Sequence, residues 1–169
     1  MDNPDHRSAT EIASLVQSLS AQLLARHWLM CTAESCTGGM IAAACTDLAG
    51  SSEWFERGIV SYSNAAKTEL LGVPAALIES HGAVSADVAS AMAQGALAHS
   101  HAHVAVAVTG VAGPSGGSAE KPVGMVWFSW ALPGWQETTM CRFAGDRHAV
   151  RVQTVAHALR VLDEAVRRR

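Results

Sequence analysis

Five consecutive apolar residues, Val104-Ala105-Val106-Ala107-Val108, constrain the fold more than any other stretch of this chain. The run is too short for a buried helix and leads into a glycine-rich segment. A strand apolar on both faces must be covered on both faces, as in a sheet lying between two layers of helices. The segment before it supplies one such helix. Ser85 is a good N-cap, Asp87 suits the first turn, and Val88, Ala89, Met92, Ala93, Ala96 and Leu97 form one apolar stripe.

The other elements follow from periodicity and punctuation. Ser8-Ala9-Thr10-Glu11 has the pattern of a capping box. It predicts a first helix running to about Arg26, with Ile12, Leu15, Val16, Leu19 and Leu23 on its apolar face. Trp28-Leu29-Met30-Cys31 reads as a strand, Met40 to about Asp47 as a helix, and Arg57 to Ser61 as a second strand. Asn64 to Leu71 reads as a short helix stopped by Gly72 and Pro74, with another short helical piece over Ala75 to Ser80. Val123 to Leu132 and Glu137 to Phe143 flank Pro133-Gly134 and predict an antiparallel hairpin. Asp146 caps a long last helix whose stripe is Val152, Val155, Leu159, Leu162 and Val166. This order predicts an α/β fold: a three-layer α/β/α sandwich with a mixed, mostly parallel sheet, formed by residues 1–169 as one domain.

Composition narrows the function. Hydrophobic residues make up 49% and charged residues 16%, which suits a well-buried globule and argues against disorder. The net charge of −3 provides no basic field for nucleic acid. No signal-peptide pattern opens the chain, and no apolar run approaches a membrane span. The four cysteines, 31, 36, 45 and 141, have no C-x-x-C pairing and read as reduced thiols of a cytoplasmic protein. His99, His101 and His103 alternate across a helix end and a strand start, with no acid or thiol near in sequence, so no metal is expected.

In open α/β sheets, ligands bind beyond the carboxyl ends of the strands. Three segments should meet there. The first is Thr32-Ala33-Glu34-Ser35-Cys36-Thr37-Gly38-Gly39, between a strand and a helix. That turn exposes Ser35 and directs the helix N–H groups of Thr37, Gly38 and Gly39 at whatever binds, which suits a nucleophile, a phosphate or both. The plain alternative is that Ser35 or Thr37 caps the helix. The second segment, Tyr62-Ser63-Asn64-Ala65-Ala66-Lys67, places Tyr62 and Lys67 at the mouth of the site. The chain has ten arginines and two lysines. Arginine cannot deprotonate in a protein, so a retained lysine hints at proton transfer, against the alternative of a solvated helix lysine. The third is the long loop from Thr109-Gly110 through Gly116-Gly117 to Gly124, whose glycines permit close backbone approach to a ligand. Neither a Walker A loop nor a G-x-G-x-x-G fingerprint occurs. Arg147, at the start of the last helix, sits where the macrodipole disfavours a cation, and a bound anion would relieve the conflict.

Taken in order, the segments around Ala33–Gly39, Gly50–Phe55, Tyr62–Lys67, His81–Ser85, Ala107–Pro114, Gly116–Ser118, Lys121–Gly124 and Gly145–Arg147 resemble the CinA C-terminal-domain family across nearly the whole chain. The characterised activity of that family is hydrolysis of the carboxamide of nicotinamide mononucleotide (NMN) to nicotinate mononucleotide and ammonia, which recycles pyridine nucleotide. The resemblance points to the stand-alone form, without the further N-terminal domain that some members carry. It implies a catalytic serine at Ser35, a lysine at Lys67, a tyrosine at Tyr62, and substrate contacts at Thr109 and Arg147. It implies no cofactor. The competing expectations are a non-catalytic module that binds a pyridine nucleotide or another phosphate-bearing ligand, and, less well matched, a different amidase or a Ser/Lys peptidase. A homodimer or higher homo-oligomer is expected, with the apolar first and last helices as its interface.

Overall fold

The computed structural model describes residues 4–169, with side-chain detail from residue 8. The helices are α1 (Pro4–Ala25), α2 (Met40–Thr46), α3 (Asn64–Leu71), α4 (Ala75–His81), α5 (Ala86–Ala98) and α6 (Arg147–Arg167). The strands are β1 (Met30–Glu34), β2 (Phe55–Val60), β3 (Val104–Gly110), β4 (Met125–Leu132) and β5 (Trp135–Arg142). They form one sheet in the order β2-β1-β3-β4-β5. β1 pairs parallel with β2 and with β3, while β3–β4 and β4–β5 are antiparallel. Four of the five strands therefore run the same way, as a mixed, mostly parallel sheet requires.

Strand alternation sorts the two helical layers. Val104, Val106 and Val108 face one core with α1, α2 and α6, whereas Ala105 and Ala107 face the other with α3, α4 and α5. Small residues on the second face let α5 approach closely. At Gly95 of α5, a Cβ would lie 1.9 Å from the Leu71 carbonyl oxygen at the end of α3. Backbone cannot yield as a side chain can, so Gly95→Ala is expected to cost about 3 kcal/mol, the upper end of overpacking. Urea titration checks this: the midpoint should fall at constant slope, and an unchanged midpoint would contradict the packing described.

Local signals placed the capped helices well. Ser63, Ser85 and Asp146 accept hydrogen bonds from the N–H groups of Ala66, Val88 and Ala149. Gly72 ends α3 in the left-handed conformation, and Pro133-Gly134 joins β4 to β5 as a hairpin. The expected start of α1 is corrected: helix continues upstream to Pro4, so the Ser8–Glu11 box lies inside the helix. The first strand is also shifted, to Met30–Glu34, because Thr32 and Glu34 are fully buried strand residues and not part of the turn. Within α6, Val152 is only half-buried, while Val155, Leu159, Leu162 and Val166 lie in the core with Val150.

The apolar faces of α1 and α6, expected to meet a second subunit, belong to a single core inside the chain. Asp163 ties the two helices together, accepting from Ser18 Oγ at 2.7 Å and from Gln22 Nε2 at 2.5 Å. Among the described residues, no helix is long and apolar enough to cross a membrane.

Candidate active site

Parallel pairing brings the carboxyl ends of β1, β2 and β3 to one edge of the sheet, where the three expected segments meet. Cys31 and Ala33 of β1 face the α3–α5 layer. One more step of strand alternation directs Ser35 to the same side, toward α3. There Lys67, 1% exposed, donates from Nζ to Ser35 Oγ at 3.0 Å, to the Ser61 carbonyl at 2.9 Å and to the Tyr62 carbonyl at 3.3 Å. Its partners are one hydroxyl and two carbonyls, with no acid among them. Burial lowers its pKa below the ordinary lysine value, only partly opposed by the Cys36 thiol.

This arrangement is suited to proton abstraction. A neutral amine has two N–H donors and one lone pair. The Ser61 and Tyr62 carbonyls can take both hydrogens, which leaves the lone pair for the Ser35 hydroxyl. Cys36 is the neighbouring rival nucleophile. Burial pushes its thiol up to about 11, so it is protonated at neutral pH.

The cavity at this pair is about 220 Å³. Ser35, Cys36, Tyr62, Lys67, Thr109 and Arg147 contribute to its wall. A cleft of about 650 Å³ adjoins it and shares Ala112 and Arg147 with it. His148 and Arg151 lie on the cleft wall beyond.

Several candidate residues are placed differently from expectation. Thr37 is fully buried, and its hydroxyl donates to Glu34 Oε2 at 2.6 Å. The Gly38 N–H is bound to the Ser35 carbonyl and the Gly39 N–H to Glu34. Gly38 and Gly39 have φ of 60° and 99°, so they turn the chain, and their N–H groups are spent inside the turn instead of facing a ligand. Of the two residues between Ser35 and these glycines, Cys36 lines the cavity and Thr37 does not. Thr109 Oγ1 donates to the Ala83 carbonyl at 2.8 Å, and Gly110 lines the cavity beside it. Gly116 and Gly117 line neither cavity. Gly117 packs on Val123 of its own loop.

Arg147, exposed at the start of α6, is not free in solvent. Its guanidinium reaches across the site to the Gly113 carbonyl at 2.9 Å and to the Tyr62 hydroxyl at 3.1 Å. The Tyr62 phenol is therefore engaged by Arg147, and only the Tyr62 carbonyl touches Lys67. One turn further along α6, Arg151 donates to the Cys36 carbonyl at 3.2 Å and to the Thr37 carbonyl at 2.8 Å. Sequence reasoning passed over Arg151, although its i+4 spacing from Arg147 puts both on one face of the helix. It also passed over Glu34. The signal there was a helix beginning after Gly39, a residue with no side chain to cap it. No group of three histidine, cysteine or acidic side chains is placed to hold a metal ion among the described residues.

The CinA C-terminal domain model matches residues 12–166. A protein of Enterobacter agglomerans named nicotinamide-nucleotide amidohydrolase PncC is 53% identical over 153 residues, covering 90% of this chain and 93% of its own. The protein of that name from Escherichia coli K12 is 49% identical over 154 residues, with the same coverage. Among solved structures, the competence/damage inducible protein CihA of Agrobacterium tumefaciens superposes with a TM-score of 0.90 at 43% identity, covering 93% of this chain and 96% of that one. A CinA superfamily protein of Klebsiella pneumoniae superposes with a TM-score of 0.89 at 39% identity, covering 94% and 99%.

Proposed function

The chain belongs to the CinA C-terminal domain family, and from that premise we propose that it hydrolyses the carboxamide of NMN to nicotinate mononucleotide and ammonia. The observation that carries this reading is the buried Lys67 Nζ, 3.0 Å from Ser35 Oγ and without an acidic partner. The names of the relatives supply the substrate; the site supplies a serine, a base and room for a nucleotide.

In the proposed sequence, neutral Lys67 takes the Ser35 proton as Oγ attacks the carboxamide carbon. The developing oxyanion is offered the backbone N–H of Cys36, which lines the cavity, and not the N–H groups at the start of α2, which Glu34 holds. One such donor is typically worth about 100- to 1,000-fold in rate. The Lys67 ammonium then gives its proton to the departing nitrogen, which leaves as ammonia. A water molecule, deprotonated by Lys67, cleaves the ester at Ser35 and returns the serine hydroxyl. The step needs no metal or cofactor.

The 220 Å³ cavity is smaller than the ~300–1,000 Å³ common for whole ligands, so it suits the pyridine ring and its carboxamide. The ribose and phosphate would extend into the adjoining cleft. Tyr62 lines the cavity, and an aromatic side chain suits a cationic pyridinium. Arg147 stands between the two spaces, held by a carbonyl and a phenol instead of a carboxylate, and is available to a phosphate. The four thiols, all free, suit the reducing cytoplasm.

Comparison of NMN with nicotinamide riboside, which lacks the phosphate, tests this reading. NMN should have the higher kcat/KM. Arg147→Ala should raise KM for NMN by about 10- to 100-fold, the size of one charge-assisted hydrogen bond, and change kcat less. Equal KM values for the two compounds in the parent would contradict the phosphate assignment.

A further inference from the structure

The Glu34 carboxylate is fully buried and has no lysine, arginine or histidine among its hydrogen-bond partners. A buried charge of that kind costs several kcal/mol unless donors surround it. Glu34 has five. Oε2 accepts from Thr37 Oγ1 at 2.6 Å, Ile41 N at 3.0 Å and Gly39 N at 3.1 Å. Oε1 accepts from Ala42 N at 2.8 Å and Thr32 Oγ1 at 3.2 Å. The Met40 N–H goes to the Thr37 carbonyl. The first N–H groups of α2, which a helix leaves without partners of its own, are thus all occupied. The positive end of the helix faces the Glu34 carboxyl group.

The consequence for chemistry lies one residue away. Ser35 follows Glu34 directly, and its own N–H is fixed to the Val108 carbonyl at 3.1 Å. Glu34 holds the N–H groups of the turn from the α2 side. Arg151 holds two of its carbonyls, those of Cys36 and Thr37, from α6. The backbone carrying the nucleophile is gripped from both sides, while Lys67 approaches from α3.

We infer that Glu34 is the positioning residue of the nucleophile: its five hydrogen bonds set the turn that holds Ser35 Oγ against Lys67 Nζ. The inference rests on the reading of Ser35 and Lys67 as a hydrolytic pair. All five partners of Glu34 are donors, and a carboxylate is an acceptor only. Glutamine has the same size but must present an NH₂ group to at least two of those donors. Displacement of a reacting atom by about 1 Å typically costs on the order of 100-fold in rate. Glu34→Gln should therefore lower kcat for ammonia release from NMN by about 100-fold and leave KM within about threefold. Glu34→Asp, which keeps an acceptor-only group with shorter reach, should recover about tenfold of that loss. Thr37→Val, which removes one hydroxyl donor, should lower kcat by about three- to tenfold with KM unchanged.

The experiment measures kcat and KM of the full chain and of these variants well below each melting midpoint, together with the rate at which a fluorophosphonate labels Ser35. Labelling should slow in parallel with kcat. If Glu34→Gln is less stable but keeps parental kcat and labelling rate per folded molecule, the carboxylate only stabilises the fold and the inference is overturned. If Glu34→Gln does not fold, Thr37→Val decides, and unchanged kcat and labelling there overturn the inference. A parent that is labelled but releases no ammonia from NMN would refute the substrate reading alone, and the labelling rates would still test Glu34.

Discussion

Ser35→Ala is expected to fold as the parent does and to lose ammonia release from NMN on the order of 10⁴-fold or more, the scale seen when a covalent nucleophile is removed. Ser35 is only 8% exposed, so alanine removes one partner of Lys67 and little else. NMN should still raise the melting temperature of the variant, because cavity and cleft remain. Parental activity in Ser35→Ala would leave the pocket in place but exclude Ser35 as the nucleophile.

Loss of Lys67 should be nearly as severe. Lys67→Arg retains a cation that cannot give up its proton, and Lys67→Met retains the length of the side chain without an amine. Both should lower kcat by about 10²- to 10⁴-fold, the range for a general base. The Ser35→Ala/Lys67→Met double variant should be little worse than Ser35→Ala, since the two act as one unit. In the parent, kcat/KM should rise with pH as the lysine loses its proton and level off above its lowered pKa; an ammonium has no lone pair for the Ser35 proton.

The same shift sets a stability signature with a definite sign. Folding lowers the Lys67 pKa below its ordinary 10.5. Between the folded value and 10.5 the unfolded chain binds more protons, so parental stability should increase as pH rises through that window. It should fall as pH drops toward the folded value and become constant, for this group, below it. Lys67→Met should lack this increment. Urea midpoints across the alkaline range measure it, and identical pH dependence in parent and variant would contradict a deprotonating buried lysine.

Much of this was legible in the sequence because local chemistry carried it. The α3 boundaries followed from Ser63 and Gly72, the α6 start from Asp146, and the layered sheet from the doubly apolar run at Val104–Val108. The three segments that form the site could be named because parallel strands bring their carboxyl ends together. What escaped was set by tertiary contacts. Glu34 reads as a turn residue in sequence, since a buried carboxylate is unexpected until its donors, four of them beyond Ser35, are known. Tyr62 and Lys67 read as neighbours at the mouth of the site, but the Tyr62 phenol is drawn to Arg147 from an element 85 residues away. Gly116 and Gly117 read as a ligand cradle, yet the loop folds on itself around Val123.

Incubation of the purified chain with NMN, with ammonia and nicotinate mononucleotide both quantified, decides whether the chain is an NMN amidohydrolase. The two products are expected in equal amounts, from a reaction abolished by Ser35→Ala. An NMN-dependent rise in melting temperature with no ammonia released would contradict this and make the site a nucleotide-binding module.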